Sequence, residues 1–219
     1  MGLGDVEVFG VGDDVGGPLR VHIRRRTSRP VCEGCGGPLW SDGERAVELV
    51  DLPAFGRPAR LVWHKRRWRC AQSGCSAGTV TEQDPEIAPP REKLTTRAGR
   101  WATRQAGRAR PVGEVAAELG CSWHRVNASV RCWGSALLGA DTARISDVFA
   151  LGLDETLMGR RGRFGAKAWS TSIVDVGRGQ LWDIVPGRTA DGARTVADVT
   201  PRGVARSDPL GGAGPLGAL

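Results

Sequence analysis

Cys32-Glu33-Gly34-Cys35 and Cys70-Ala71-Gln72-Ser73-Gly74-Cys75, separated by 34 residues, decide how this chain is read. Each pair is spaced to close a tight knuckle, and two knuckles supply the four thiolates that tetrahedral zinc takes. Glycine stands where such knuckles turn: Gly34, Gly36 and Gly37 around the first pair, Gly74 inside the second. The same cysteines would also allow two local disulfides or free buried thiols. No signal peptide precedes them, so the expected compartment is the cytoplasm, where thiols stay reduced. The expected cofactor is Zn, held by Cys32, Cys35, Cys70 and Cys75. His64 lies six residues before Cys70, but four sulfurs already complete the site.

Outward from the cysteines, Ala46–Leu52 and Ala59–Trp68 read as strands joined by Pro53-Ala54-Phe55-Gly56-Arg57-Pro58. Knuckle, hairpin, knuckle is a ribbon-like module in which metal replaces a core too small to hold itself. Ahead of it, Val6 and Val8, then Leu19, Val21 and Ile23, alternate with polar residues around an acidic glycine-rich turn at Asp13–Gly17. That period of two predicts two more strands. The chain of 219 residues has room for one large domain or two to three small ones, and its 40% hydrophobic content is that of a globular protein. It contains no apolar run of the roughly 18 residues a membrane span needs.

The net charge of +7 is unevenly spread. Residues 1–19 carry −4, residues 20–70 carry +7, residues 71–90 carry −3 and residues 91–133 carry +6, with the remainder almost balanced. The cations are arginine except for Lys65, Lys93 and Lys167. Two such basic blocks suit a polyanion, because each phosphate contact releases condensed counterions. A solvated arginine face is the plainer alternative.

Pro85, Pro89 and Pro90 read as a linker, after which the pattern turns helical. Thr95–Arg108 places Ala98, Trp101, Ala102 and Ala106 near one face. Val112–Leu119 follows Pro111, Gly120 breaks it, Ser122 is placed to cap the next helix, and that helix runs from Trp123 to about Trp133. This spacing predicts a helix-turn-helix, with an ordinary helical hairpin as the alternative. Val126 and Val130 would face inward, leaving His124, Arg125, Asn127, Ser129 and Arg131 outward to reach base edges and phosphates. Cys121 and Cys132 are expected as small core residues of these helices.

Val148-Phe149-Ala150-Leu151-Gly152-Leu153-Asp154 is an apolar run ending in a carboxylate, the pattern of a strand buried on both faces. Ala166–Val176 and Gln180–Val185 follow as strands around Gly177-Arg178-Gly179, which would flank a central strand with Asp154 at its end. Asp191–Val199 has the pattern of a helix start, and 201–219 that of a disordered tail.

In this order the chain resembles the zinc-finger group of bacterial insertion-sequence transposases, the ISL-three family. The motifs that carry the likeness are Cys32-x-x-Cys35, Asp51-Leu52-Pro53 with Gly56-Arg57-Pro58, and Arg66-Arg67-Trp68-Arg69-Cys70. The helix-turn-helix, Gly152-Leu153-Asp154-Glu155 and Val185-Pro186-Gly187-Arg188 follow, so the likeness spans about 15 to 195. The resemblance implies a multi-domain α+β protein: N-terminal strands and zinc finger over 1–84, a helix-turn-helix over 91–135, and an RNase-H-like α/β domain over 145–200. It implies double-stranded DNA, the element's terminal repeats, as partner, with no membrane.

It further implies a nuclease that holds two Mg ions on an Asp-Asp-Glu triad whose first member falls on Asp154; Glu155 is not a member. Two hard divalent ions bound by carboxylates can activate the attacking oxygen and stabilise the leaving one. Asp175, Asp183, Asp191, Asp198 and Asp208 do not fall at the second position. The expectation is therefore a truncated transposase that does not cut DNA by itself. Alternatives are a zinc-ribbon and helix-turn-helix regulator that inhibits a full-length transposase, a nuclease completed by a second chain, and a decaying product that barely folds.

Overall fold

The computed structural model describes residues 3–26, 29–141, 143, 145, 150–163 and 165–188. Val148, Phe149, the Asp191–Val199 helix and the 201–219 tail lie outside them. The chain divides into two compact units, 1–137 and 138–219.

In the first unit, β1 (Val6–Asp13) and β2 (Leu19–Arg25) form an antiparallel hairpin, and β3 (Leu39–Ala54) and β4 (Arg57–Cys70) form a longer one. The two hairpins join through a parallel β2–β4 ladder that sets Leu19 beside Ala59 and Ile23 beside Trp63, giving the order β1-β2-β4-β3. A short β5 (Thr79–Thr81) pairs with Arg67–Arg69 at the far end of β4. Both strands of the long hairpin outrun the apolar stretches that announce them. Their additional residues, such as Glu44, Arg45, Arg66 and Arg69, are polar and lie towards the cysteines.

Successive residues of a strand face opposite sides of its sheet, and here both sides are covered. Leu49, Leu61, Trp63 and Ile23 pack with Ile87 and Ala88 on one side. Val50 packs with Leu94 and the helices on the other. This corrects the linker expected at Pro85–Pro90: Ile87 and Ala88 are both buried, in the cluster that holds Trp63.

The helices are α1 (Thr96–Gly107), α2 (Val112–Leu119) and α3 (Trp123–Ala140). Thr95 caps α1: its hydroxyl accepts from the Ala98 N–H at 3.2 Å. The same hydroxyl donates to Asp51 Oδ1 on β3 at 2.7 Å, and Arg97 Nε donates to that oxygen at 2.8 Å while Arg97 Nη2 reaches Oδ2. Backbone continues the join, with Val50 N–H donating to Lys93 O and Thr95 N–H to Val50 O. Strand and helices thus share one core, built from Val50, Leu94, Ala98, Ala102, Val115, Ala116, Leu119 and Val126.

Gly120 ends α2 in the left-handed region with φ 61°, and the Arg60 guanidinium donates to the carbonyls of Leu119 at 3.1 Å and Gly120 at 2.6 Å. A cation there answers both the orphan carbonyls and the helix dipole. A Cβ on Gly120 would lie 2.7 Å from Pro58 Cγ. Gly120→Ala is therefore expected to cost more than the ~1–2 kcal/mol of the left-handed backbone alone, read as a fall in the urea midpoint at unchanged m-value. Loss of no more than a few tenths of a kcal/mol would contradict this packing.

α3 runs to Ala140, beyond the expected end near Trp133, because Ala136, Leu137 and Leu138 are good helix formers. Ser122 begins it through its carbonyl, which accepts from Arg125 and Val126 N–H.

The second unit holds β6 (Leu151–Arg161), β7 (Ala166–Asp175) and β8 (Gln180–Pro186) in an antiparallel meander of order β6-β7-β8. The central strand is β7, with Ile173 buried, and not the strand that carries Asp154. Nor is β6 buried on both faces: Leu151, Leu153, Leu157 and Met158 are all exposed. Its run of apolar residues lies on an edge strand, where only β7 pairs with it among the described residues. At the β7–β8 turn, Asp175 Oδ1 accepts from the N–H groups of Gly177 at 2.9 Å and Arg178 at 3.2 Å.

Candidate metal centre and nucleic-acid interface

The cysteines sit where the open end of the β3–β4 hairpin meets two turns. In the first, Gly36 N–H donates to Cys32 O at 2.7 Å and Cys32 N–H to Gly37 O at 2.9 Å; in the second, Cys75 N–H donates to Gln72 O at 3.1 Å. Gly36 has φ 70°, and a side chain on Gly34 would press on Cys75 Sγ and Ala77 Cβ, each 3.3 Å away. Cys70 ends β4 opposite Leu39 in the ladder. Beneath the sulfurs, Leu39 and Trp68 form a small core with Cys32.

All four Sγ atoms lie within 4.8 Å of one another. Cys32 and Cys75 approach to 3.7 Å, and Cys35 and Cys70 to 3.5 Å. Ligands at about 2.3 Å around tetrahedral zinc are about 3.8 Å apart, so the set fits that ion. All four are free thiols, which overturns the disulfide alternative. The N–H groups of Gly34 and then Cys35 draw the Cys32 thiol down to about 7. At Cys70 the Gln72 N–H acts in the same direction, but desolvation and hydrogen bonding among the thiols overcome it and push the group up to about 12. A divalent cation removes this resistance, because it stabilises all four thiolates at once. His64 is elsewhere: its Nε2 lies 3.1 Å from His22 Nδ1, with the Phe9 ring against it.

Of the residues expected to face outward on α3, His124, Arg125 and Arg131 are exposed and Asn127 is half-buried. Ser129 is not outward: it is 3% exposed and lies against Gly99 of α1, where an added Cβ would sit 2.7 Å from its hydroxyl. The buried face follows Val126, Ser129, Val130 and Trp133, so the i+3 position belongs to it as well as i+4. Cys132 is exposed rather than in the core, while Cys121 packs beside it.

The basic blocks differ in what they face. Between 20 and 70, Arg20 pairs with Asp14 and Glu48, Arg24 with Glu44, Arg25 with Asp84 and Arg57 with Asp13. Arg60 pairs with Glu48, Arg66 with Glu82, and Arg67 and Arg69 share Asp42. Among the basic residues of 91–133, by contrast, only Arg97 and Arg110 meet a described carboxylate. Charge summed along the sequence does not register this internal neutralisation.

Asp154 is exposed in the middle of β6, opposite Ser172, and its Oδ2 accepts from Thr156 Oγ1 at 3.2 Å. Glu155 is held by Arg188 Nε at 2.6 Å. The four cysteines are the only group of three or more metal-ligating side chains among the described residues. The residues around Asp154 therefore do not fit a pair of magnesium ions. No described helix is long and apolar enough to cross a membrane.

Residues 28–75 match the family described as the zinc-finger of transposase IS204/IS1001/IS1096/IS1165. The match contains all four cysteines and the whole β3–β4 hairpin. No curated protein and no solved structure matches the chain. The zinc finger and its family likeness thus stand on two independent observations, the convergence of the sulfurs and the match of the segment that carries them.

Proposed function

We propose that this chain is the DNA-binding portion of an insertion-sequence transposase, with α2, its turn and α3 acting as a helix-turn-helix on the element's terminal repeats. The observation that carries the proposal is the transposase zinc finger at 28–75, packed in one unit with helices whose exposed arginines lack described carboxylate partners. In this reading 1–84 is the zinc-stapled support, 91–135 the reading head and 145–200 a nuclease-like region to which Asp154 belongs. His124, Arg125 and Arg131 meet the duplex, with Asn127 at the margin of the contact. Cleavage is not assigned to the described residues, since one carboxylate leaves most of magnesium's coordination to water. A second transposase chain is the protein partner this reading implies, through shared ends or mixed assembly. Inhibition of transposition is the second reading, and the same DNA-binding surface serves it.

The test is an electrophoretic mobility shift with the zinc-loaded chain on a duplex carrying the element's end. Arg125→Ala with Arg131→Ala is expected to weaken binding by about 2–4 kcal/mol, at about 1–2 for each guanidinium removed. Asp154→Ala should leave the shift unchanged. Unaltered binding by the double arginine variant would remove α3 from the interface.

A further inference from the structure

We infer that the surface of this chain which grips the DNA phosphates is the solvent face of α1, Arg100, Arg104 and Arg108, and not the arginine-rich zinc module. The inference rests on the duplex-binding reading above and assigns within it a surface outside the helix-turn-helix.

The first ground is the state of the charges. A guanidinium contributes to polyanion binding by releasing the phosphate's counterions, and one already held by a carboxylate brings little net charge to the contact. In 20–70, eight of the twelve basic side chains are so held. The other four, Arg26, Arg29, Arg45 and Lys65, have no carboxylate partner among the described residues. In 91–133, seven of nine have no carboxylate partner among the described residues, and three of the seven lie on α1 or at its C-cap.

The second ground is geometry. Positions 100, 104 and 108 recur every four residues, so they form a stripe on one side of the helix, spaced by roughly 6 Å and spanning roughly 12 Å. Projected on the duplex axis, where one strand rises about 3.4 Å per phosphate, that length corresponds to about three to four phosphates. The opposite side of α1 is fixed in the core by Ala98, Gly99, Ala102 and Thr103, which leaves the stripe no freedom to turn inward. α1 contains no acid to neutralise it, and Thr95 caps its start without adding charge.

The third ground is continuity with α3. Gly99 lets the two backbones approach, with Ser129 and Trp133 directly against it, and the Arg100 guanidinium lies 4.9 Å from the centre of the Trp133 ring. A cation held over an indole face keeps its N–H edge free for an anion. The stripe thus begins at the helix that carries Arg125 and Arg131, so one duplex would meet α3 at its bases and α1 at its backbone. The sign of charge, its repeat and its mounting favour a phosphate polyanion over an acidic peptide, whose carboxylates have no fixed spacing to match.

The experiment uses the full zinc-loaded chain and a fluorescent mixed-sequence duplex, with binding followed by anisotropy across a salt series. The Arg100→Gln/Arg104→Gln/Arg108→Gln variant is expected to flatten the slope of log K against log salt by about 2–3, since each phosphate contact contributes about 0.9. The three-lysine variant, which keeps the charge, should retain the slope. Arg67→Gln/Arg69→Gln in the zinc module should leave it unchanged, and retained zinc content and circular dichroism show that each variant folds. An unchanged slope in the α1 variant, or an equal loss in the zinc-module variant, overturns the inference while the duplex-binding reading stands. A parent protein that binds the duplex without salt dependence, or not at all, overturns both. A glutamate-rich peptide that competes as well as DNA at equal charge would overturn the choice of partner.

Discussion

Cys35→Ser or Cys70→Ser is expected to abolish stoichiometric zinc binding and to unfold the cysteine end of the β3–β4 hairpin. The core at that end has three buried members, Cys32, Leu39 and Trp68, with Cys70, Cys75 and Ala77 packed against them. Three residues are too few to repay the ordering of two knuckles, whose backbone alone costs about 1–2 kcal/mol per residue. Structural zinc contributes about 10–16 kcal/mol in small fingers, comparable with the whole stability of a domain, about 5–15 kcal/mol. Loss of one thiolate should therefore expose Trp68, read as a red shift of its fluorescence together with zinc release. Chelation should do the same to the parent protein. Because binding displaces thiol protons, affinity should fall as pH falls, and faster below the value near 7 to which Cys32 is drawn. A chelated protein with unchanged fluorescence and unchanged protease resistance between 29 and 81 would contradict a structural metal.

Asp51→Ala is expected to be the most damaging single change away from the cysteines. Asp51 is 4% exposed and accepts from Thr95 and twice from Arg97, so its loss leaves a half-buried guanidinium and a buried hydroxyl without their acceptor. Removing one partner of a fully buried pair costs about 3–5 kcal/mol. Arg97 keeps a quarter of its side-chain exposure, which solvent screens, so about 2–3 kcal/mol is expected here. Thr95→Val should cost about 1 kcal/mol through the cap, and the double variant should cost less than the sum, because the Thr95–Asp51 bond is removed only once. Equilibrium urea unfolding measures all three. A strictly additive pair would show that the two side chains do not act together.

That latch illustrates what the sequence conceals. Asp51 and Thr95 are 44 residues apart, and nothing in either neighbourhood announces the other. The metal centre was legible because knuckle spacing is local and zinc demands a fixed number of sulfurs. The β1–β2 strands and the three helices were legible for the same reason, through period and punctuation. The i+4 spacing of Val126 and Val130 turns Ser129 outward, whereas packing against Gly99 draws the i+3 position into the buried face. The edge placement of β6 depends on which strands share a sheet, a non-local choice that an apolar run cannot disclose. Charge blocks likewise located the arginines but not the acids from distant strands that neutralise those of the zinc module.

The order β1-β2-β4-β3 also has a consequence for how the unit comes to be. β3 and β4 meet through a tight turn at Phe55-Gly56, so their ladder needs almost no loop closure and can zip early. The β2–β4 ladder must instead bring Ile23 to Trp63 across the first knuckle and the whole hairpin. Pairings of that separation are slow to form, since entropy is spent before any bond is gained. The cysteines bracket the β3–β4 hairpin, and clamping 32–35 to 70–75 shortens the path that β2 must search. Zinc is therefore expected to speed the closing of this sheet as well as to stabilise it, read as slower refolding of the chelated protein.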